Sequence, residues 1–420
     1  MTAAVRLRRD DIRPAEDGRH TANASAVLQA AADHGPVARS TIARLGGLSP
    51  AAVSRLCADL TAAGLLREVP EATTAKTVGR PHVPVEVDTS RRVACGVHIA
   101  VRYSTLALLD LRGRVVAREQ IEHFGADPEQ VLLRIARRIP GFLDEHAAGR
   151  APLGIGVASG GWVDRDHGVI IDNAPLGWRG VHAGELMAAA TGLPVHVDSH
   201  SRALARAEQL FGDPRARASV VHLFVGNVVD AAFAIGSAVH HGPRSAAGLI
   251  AHLPLADQTG PLAGQTEPCP CGRPSCLQAA VSDEAIGRQA ANRGITPTAS
   301  FPTLLTQARS GDRAALQLFQ ERARLVGVAV ALLLDLLNPE LLVVTEAGAI
   351  YLPECLEEIR AEVGERSLVR REPGRSVIAT SFGADVLPVA AGAVLLDAVY
   401  SDPLRHPQAA TPQTAIPQAS

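Results

Sequence analysis

Residues 93–120 read VACGVHIAVRYSTLALLDLRGRVVAREQ, and residues 219–239 read SVVHLFVGNVVDAAFAIGSAV. In the first stretch, residues 93–101, 104–110 and 114–120 are runs rich in Val, Ile, Leu and Thr, with the second and third joined at Leu111-Arg112-Gly113. They predict three consecutive strands. The second stretch repeats the pattern at 220–225, at 230–235 and in a short third strand by Val239. After the first meander come a helix near 128–147, a strand at 153–158, a helix near 184–191 and a strand at 195–198. After the second come long helical stretches, including the nearly all-apolar 326–337, then strands at 341–345 and 377–380 and a last helix at 389–400. Twice, a meander is followed by alternating helices and strands. This duplication predicts two similar α/β lobes facing a cleft. The first lobe is expected over 93–200, completed by a C-terminal helix at 387–400, and the second over 201–386.

Ahead of the lobes the period is helical. Val27, Leu28 and Ala31 share one face of a helix that begins near Asn23 and ends at His34-Gly35, and Ile42 and Leu45 mark a second helix halted by Gly46-Gly47. Ser49 before Pro50 is an N-cap with proline at the first helical position. It opens a third helix whose apolar residues Val53, Leu56, Cys57 and Leu60 form one buried stripe. Extended segments at 65–69 and 83–87 flank a polar stretch. Three helices and a hairpin predict a winged helix-turn-helix over 23–88, with flexible tails at 1–21 and 402–420. Turning the apolar stripe inward leaves Ser49, Ala51, Ala52, Ser54 and Arg55 facing outward at the helix start, small residues that let the backbone approach a major groove, with Arg55 as base reader or phosphate clamp. Lys76 and Arg80, the latter within Gly79-Arg80-Pro81, are the wing's contacts, Arg80 suited to a narrow minor groove. The competing reading is a small helical bundle for protein contact.

Composition narrows the classes. The chain has 420 residues, 47% hydrophobic and 20% charged, enough apolar material for ordinary cores, so a mainly disordered chain is excluded. Aromatics are only 3%, which argues against a base-stacking platform for single strands. The net charge of −2 hides an asymmetry: residues 1–92 carry 13 Lys+Arg against 10 Asp+Glu, and the remainder 28 against 33. The front is mildly basic and suits a polyanion partner where a motif presents the charge. No run of 18 apolar residues predicts a membrane span and no signal-peptide core opens the chain, so a cytoplasmic protein is expected.

Three of the six cysteines fall in Cys269-Pro270-Cys271-Gly272-Arg273-Pro274-Ser275-Cys276, and His252 lies 17 residues before Cys269. Three thiolates and one imidazole make a closed tetrahedral set, the arrangement of structural zinc; redox-active thiols are the alternative. Cys57, Cys95 and Cys355 sit in apolar contexts and read as core residues.

A winged helix before a duplicated α/β body, with His…Cys-x-Cys-Gly-x3-Cys in the second half, resembles the ROK family of repressors, open reading frames and sugar kinases. The resemblance spans about 23–400 and includes Gly154-Ile155-Gly156-Val157, Ala174-Pro175-Leu176-Gly177-Trp178, Ala203-Leu204-Ala205-Arg206-Ala207-Glu208 and Leu337-Asn338-Pro339-Glu340. It implies the actin/hexokinase-like (ribonuclease H-like) ATPase fold, a zinc loop at 252–278 held by His252, Cys269, Cys271 and Cys276, and, through the fused DNA-binding domain, the repressor branch.

The chain departs from the kinase members of that family where phosphoryl transfer needs support. Their Asp-x-Gly-x-Thr is His98-Ile99-Ala100-Val101-Arg102 here, and the second phosphate loop is Gly226-Asn227-Val228-Val229-Asp230. Their Glu-Asn-Asp is Asp198-Ser199-His200, which puts His200 at the catalytic aspartate's place. Gly-Glu-x-Gly-His is Gly248-Leu249-Ile250-Ala251-His252, and the Glu after the last cysteine is Gln278. The expected function is therefore a DNA-binding regulator, a repressor rather than an activator, acting on a double-stranded operator as a homodimer or homotetramer. Its lobes sense a sugar-like effector through Asp198, Ser199, His200, His252 and Gln278, with zinc as the one cofactor and no catalysis. The rivals are an ATP-dependent sugar kinase and an effector-independent DNA-binding scaffold, and in the bland view several of these cleft residues only pack. Trp162 and Trp178 either line the cleft or sit in the core.

Overall fold

A computed structural model describes residues 16–72, 83–123, 127–236, 238–255, 269, 271–273 and 276–405. The chain divides into two compact units, one of residues 1–93 with 149–153 and 398–420, the other of 94–148 with 154–397.

The first unit opens with α1 (Glu16–His34), α2 (Arg39–Gly46) and α3 (Pro50–Ala62), followed by β1 (Leu66–Glu68) and β2 (Val85–Val87), an antiparallel pair in the register Leu66↔Val87. Val27, Leu28, Ala31, Ile42, Val53, Leu56, Cys57 and Leu60 are buried together with Leu66, Val85 and Val87. Two expectations change. The first helix starts at Glu16, within the residues expected to be a tail, and Leu45 is 48% exposed instead of joining the core. Gly47 takes the left-handed conformation after α2, a conformation open to glycine because it lacks Cβ.

The larger unit contains two five-stranded sheets and a small one. The first sheet is built from β3 (Arg92–Ile99), β4 (Tyr103–Leu109), β5 (Val115–Glu122), β6 (Ala151–Ser159) and, after the small sheet of β7 (Trp162–Asp164), β8 (Val169–Asn173) and β9 (Trp178–Val181), by β10 (Val195–Ser199). Helices α4 (Pro128–His146), α5 (Ala183–Thr191) and α6 (His200–Phe211) lie among these strands in sequence. The second sheet is built from β11 (Ser219–Val225), β12 (Val229–Ile235), β13 (Ala238–Val239), β14 (Leu341–Glu346) and β15 (Val377–Ala379). Between and after them come α7 (Leu277–Val281), α8 (Asp283–Asn292), α9 (Phe301–Arg309), α10 (Arg313–Leu337), α11 (Ala347–Tyr351), α12 (Pro353–Arg366) and α13 (Val386–Ser401).

The strand orders are β10-β6-β3-β4-β5 and β15-β14-β11-β12-β13, so the duplication expected from the meanders is present strand for strand. In each sheet the three consecutive strands pair antiparallel, and the outer ones, β6 with β10 and β14 with β11 and β15, pair parallel. Parallel pairing aligns the ends of β6 and β10 in the first sheet and those of β11, β14 and β15 in the second, the kind of edge where open α/β sheets bind ligands. Helix α13 approaches the first sheet at backbone distance: a Cβ at Gly156 would fall 2.4 Å from the Ala391 carbonyl oxygen. Residues 383–401 form one helical stretch long and apolar enough to cross a membrane, and it is two-thirds buried, with Val389, Ala390, Ala391, Leu395 and Leu396 packed inside the protein.

Candidate functional site

In α3 the Ser49 hydroxyl accepts from the Ala52 amide at 3.2 Å, the expected N-cap, and Pro50 occupies the first helical position. Ser49, Ala51, Ser54 and Arg55 are exposed and Ala52 is half-buried, while Val53, Leu56, Cys57 and Leu60 point inward. Lys76 and Arg80 lie outside the described residues. Arg91 and Arg92 donate to the carbonyls of Thr61 and Ala63 at 3.3 and 3.0 Å. They add side-chain donors to carbonyls at the end of α3, of which that of Thr61 also accepts from the Gly64 amide.

His252, Cys269, Cys271 and Cys276 come together with one ligand atom from each within 4.8 Å of the others. His252 Nδ1 lies 3.4 Å from the Cys269 sulfur, and the sulfurs of Cys271 and Cys276 are 3.5 Å apart without a disulfide. Tetrahedral zinc with Zn–S of about 2.3 Å separates its sulfurs by about 3.8 Å, so the donor set and its spacing fit that ion. The strap that carries the histidine is tied to the last cysteine by backbone bonds from Leu277 to Leu253 and from Gln278 to Ala251. Gln278 then turns inward, its Oε1 accepting from the Val229 amide at 2.9 Å. This bond links the cysteine loop to the β11–β12 hairpin, a role that sequence spacing did not reveal.

In the cleft, Ser199 caps α6 through a bond from the Arg202 amide, which places His200 at the first position of a helix, directly after β10. His200 is buried between the halves. Its Nε2 is 3.0 Å from Asp230 Oδ1 on β12, its Nδ1 is 3.4 Å from His98 Nε2 on β3, and its ring stacks on Phe224 at 3.8 Å. One tautomer pattern serves both bonds: His98 Nε2–H donates to His200 Nδ1, and His200 Nε2–H donates to the Asp230 carboxylate. Val228 fills the remaining approach. A Cβ at Gly160, at the end of β6, would meet Val228 Cγ2 at 2.8 Å and His200 Cε1 at 3.0 Å. The second hairpin thus packs directly on the β6 loop, where the kinase motif would hold phosphate.

Asp198 does not face an open cavity. Its Oδ1 accepts from Arg202 Nε at 2.7 Å, and Oδ2 lies 3.6 Å from Arg165. Arg202, 2% exposed, also donates to the carbonyls of Val163 and Ser245, both at 2.8 Å. It is the residue that sequence reasoning missed, since an arginine in an alanine-rich helix reads as solvated. The structure therefore brings Asp198, Ser199 and His200 together at the start of α6, places His252 in the cysteine cluster, and uses Gln278 to hold the hairpin.

Two further histidines are buried neutral. Burial, with His200 as the lesser cause, pushes His98 and His222 down to about 3; His222 Nε2 bonds the Thr345 hydroxyl at 2.9 Å. An unfolded chain protonates both near 6.5, so their contribution to stability is whole above that pH and is lost as pH falls from about 6.5 toward 3. Each should remove about 2 kcal/mol between pH 7.5 and 5. Urea midpoints at the two pH values check this, and His222→Gln should show a smaller loss than wild type.

Two lobes of like strand order, with His200 after β10 bonded to Asp230 on β12, and a three-helix winged unit ahead of them in the chain, define an actin-like body joined to a DNA-binding module. The sequence model of the ROK family matches residues 94–396, and that of the MarR family matches residues 21–76. The chain belongs to the ROK family. It is 35% identical over 395 residues to the transcriptional regulator Rv0485 of Mycobacterium tuberculosis, covering 91% of this chain and 86% of the relative. It is 26% identical to the DNA-binding transcriptional repressor Mlc of Escherichia coli, covering 91% and 94%. Among solved structures, a ROK family transcriptional regulator homologous to the E. coli protein superposes with a TM-score of 0.75 at 24% identity, covering 92% of this chain and 98% of that one.

Proposed function

We propose that the chain is a sequence-specific, DNA-binding transcriptional repressor of the cytoplasm that works as a homodimer or homotetramer. The observation that carries the reading is the capped α3, whose small outward residues and exposed Arg55 suit a major groove; the names of its regulator relatives support it. Ser49, Ala51, Ala52, Ser54 and Arg55 form the reading face and Lys76 and Arg80 the wing, within a winged module of residues 23–88 that precedes lobes of 93–200 and 201–386. A symmetric oligomer suits the task because one winged helix reads one half-site. Zinc held by His252, Cys269, Cys271 and Cys276 is structural.

The lobes sense a small, sugar-like molecule without phosphorylating it. Asp198, Ser199 and His200, with His252 and Gln278 nearby in sequence motif, are the effector contacts. The polar groups of Asp198, His200 and Gln278 already hold protein partners, so an effector reaches them by displacing Arg202, Asp230 or the Val229 amide. Such displacement favours one lobe arrangement over another, which is what coupling to DNA requires.

Loss of a base-reading arginine should weaken operator binding by about 1 to 3 kcal/mol and relax preference at one position. Arg55→Ala and Arg80→Ala in a mobility-shift titration, on sites selected from a random pool, test this; unchanged affinity and preference in both would remove the proposed readers. With ATP and glucose, wild type should release no more sugar phosphate than a buffer control.

A further inference from the structure

Beside the engaged residues of His200's surroundings lies a cavity of about 720 Å³ between the two sheets, walled by Tyr103, Thr105, Phe224, Phe301, Glu346 and Tyr351, among others. Its charges are unbalanced. Of the four ionisable groups on its wall other than tyrosine, Arg118 is paired with Asp385 and Glu119 with Arg138. The other two, Asp283 and Glu346, share a single guanidinium: Arg322 lies 2.8 Å from Asp283 Oδ1 and 3.1 Å from Glu346 Oε1. Arg322 and Glu346 are both buried. One negative charge is left over on a pair of carboxylates of which Glu346 is buried and Asp283 about one-fifth exposed, where charge is costly unless paired. Burial pushes the Asp283 carboxyl above its usual value, with Arg322 opposing and Glu346 adding to the rise.

Three further features set the kind of ligand. Four aromatic rings line the wall, and the protein itself lays guanidinium groups on two of them, Arg322 over Phe301 at 5.3 Å and Arg309 over Tyr351 at 5.1 Å. The Thr105 hydroxyl is buried at the wall with no partner among the described residues, an unused hydrogen-bonding group. Neither neighbouring hairpin offers a phosphate cradle, since Val228 is packed onto Gly160 and Ala100-Val101-Arg102 follow β3 without glycine. Nucleotide phosphates would add negative charge to a site already in excess.

We propose that this cavity binds a small organic cation of the amidine or guanidine class carrying a flat ring, its charge answering Glu346 and Asp283 and its plane resting against Tyr103 and Tyr351. Nothing in this assignment depends on DNA binding or on His200.

The test is calorimetry of the full chain, without DNA, against benzamidine, its neutral isostere benzamide, and ADP. Benzamidine should bind, benzamide at least tenfold more weakly, and ADP should give no heat. Glu346→Gln, which keeps an oxygen for the Ala349 amide that Glu346 caps at 2.7 Å, should weaken benzamidine at least tenfold, and Tyr351→Leu should weaken it severalfold. Equal binding of benzamidine and benzamide, no benzamidine binding, or tighter binding of ADP would each overturn the proposal. If Glu346→Gln does not fold, the wild-type comparison and Tyr351→Leu decide. A failure of Arg55→Ala to affect DNA binding leaves this result untouched, so the two readings fail separately.

Discussion

Replacing Cys276 by Ser should leave the purified protein without the zinc proposed for this cluster and lower its Tm by about 10 °C. The size follows from position. Cys276 is buried, pairs by a β-bridge with Pro254 and immediately precedes α7, whose Gln278 holds the Val229 amide. A metal held by these four ligands would supply folding free energy, so its loss should release the strap, then α7, then the β11–β12 hairpin. Metal analysis of protein purified without chelator should find one zinc per wild-type chain and none in the variant. Limited proteolysis should cut the variant within 252–280. Wild-type protein with no zinc would end the assignment; a variant that lost zinc but kept its Tm and protease resistance would end only the structural role.

Arg202→Ala should destabilise the fold by about 3 to 5 kcal/mol, the usual cost of removing one partner from a buried ion pair. The guanidinium is fully enclosed, and its removal takes the ion-pair partner from Asp198 Oδ1, leaving that carboxylate the Ser199 amide and the more distant Arg165, and takes a donor from the carbonyls of Val163 and Ser245. Urea denaturation measures the loss. Adding Asp198→Asn should recover part of it, because the charge left short of a close partner, not the missing side-chain volume, accounts for most of the penalty. Additive losses in the double variant would show that packing dominates.

The sequence displayed what depends on neighbours along the chain. Both meanders were legible because their β-branched runs alternate with turn residues, and Ser49-Pro50 marked the start of α3 in the place the structure has it. The β7–β9 sheet was not, since its strands are three to five residues long and interrupted by Asp164, Asp166, His167 and Gly168. The early turns of α1 were hidden for the opposite reason: Glu16 to Asn23 offer almost no apolar spacing. At the cleft, motif comparison located His200 but not its partners, because His98 and Asp230 are 102 and 30 residues away and meet it only when both sheets are built. Arg202 shows the limit most sharply. Its burial is set by carbonyls on β7 and on the loop after β13, both distant in sequence, and no local pattern announces such acceptors.

The two tryptophans of the chain sit on the same small sheet in different settings. Trp178 is 1% exposed, whereas Trp162 donates its indole N–H to the Arg244 carbonyl at 2.8 Å and lies under that residue's guanidinium. Arg244 belongs to the loop after β13 that Arg202 also grips, one residue on, at Ser245. The protein thus carries an optical gauge of this loop: the enclosed Trp178 should emit steadily, and a movement that lifts the loop off Trp162 should change the light from Trp162.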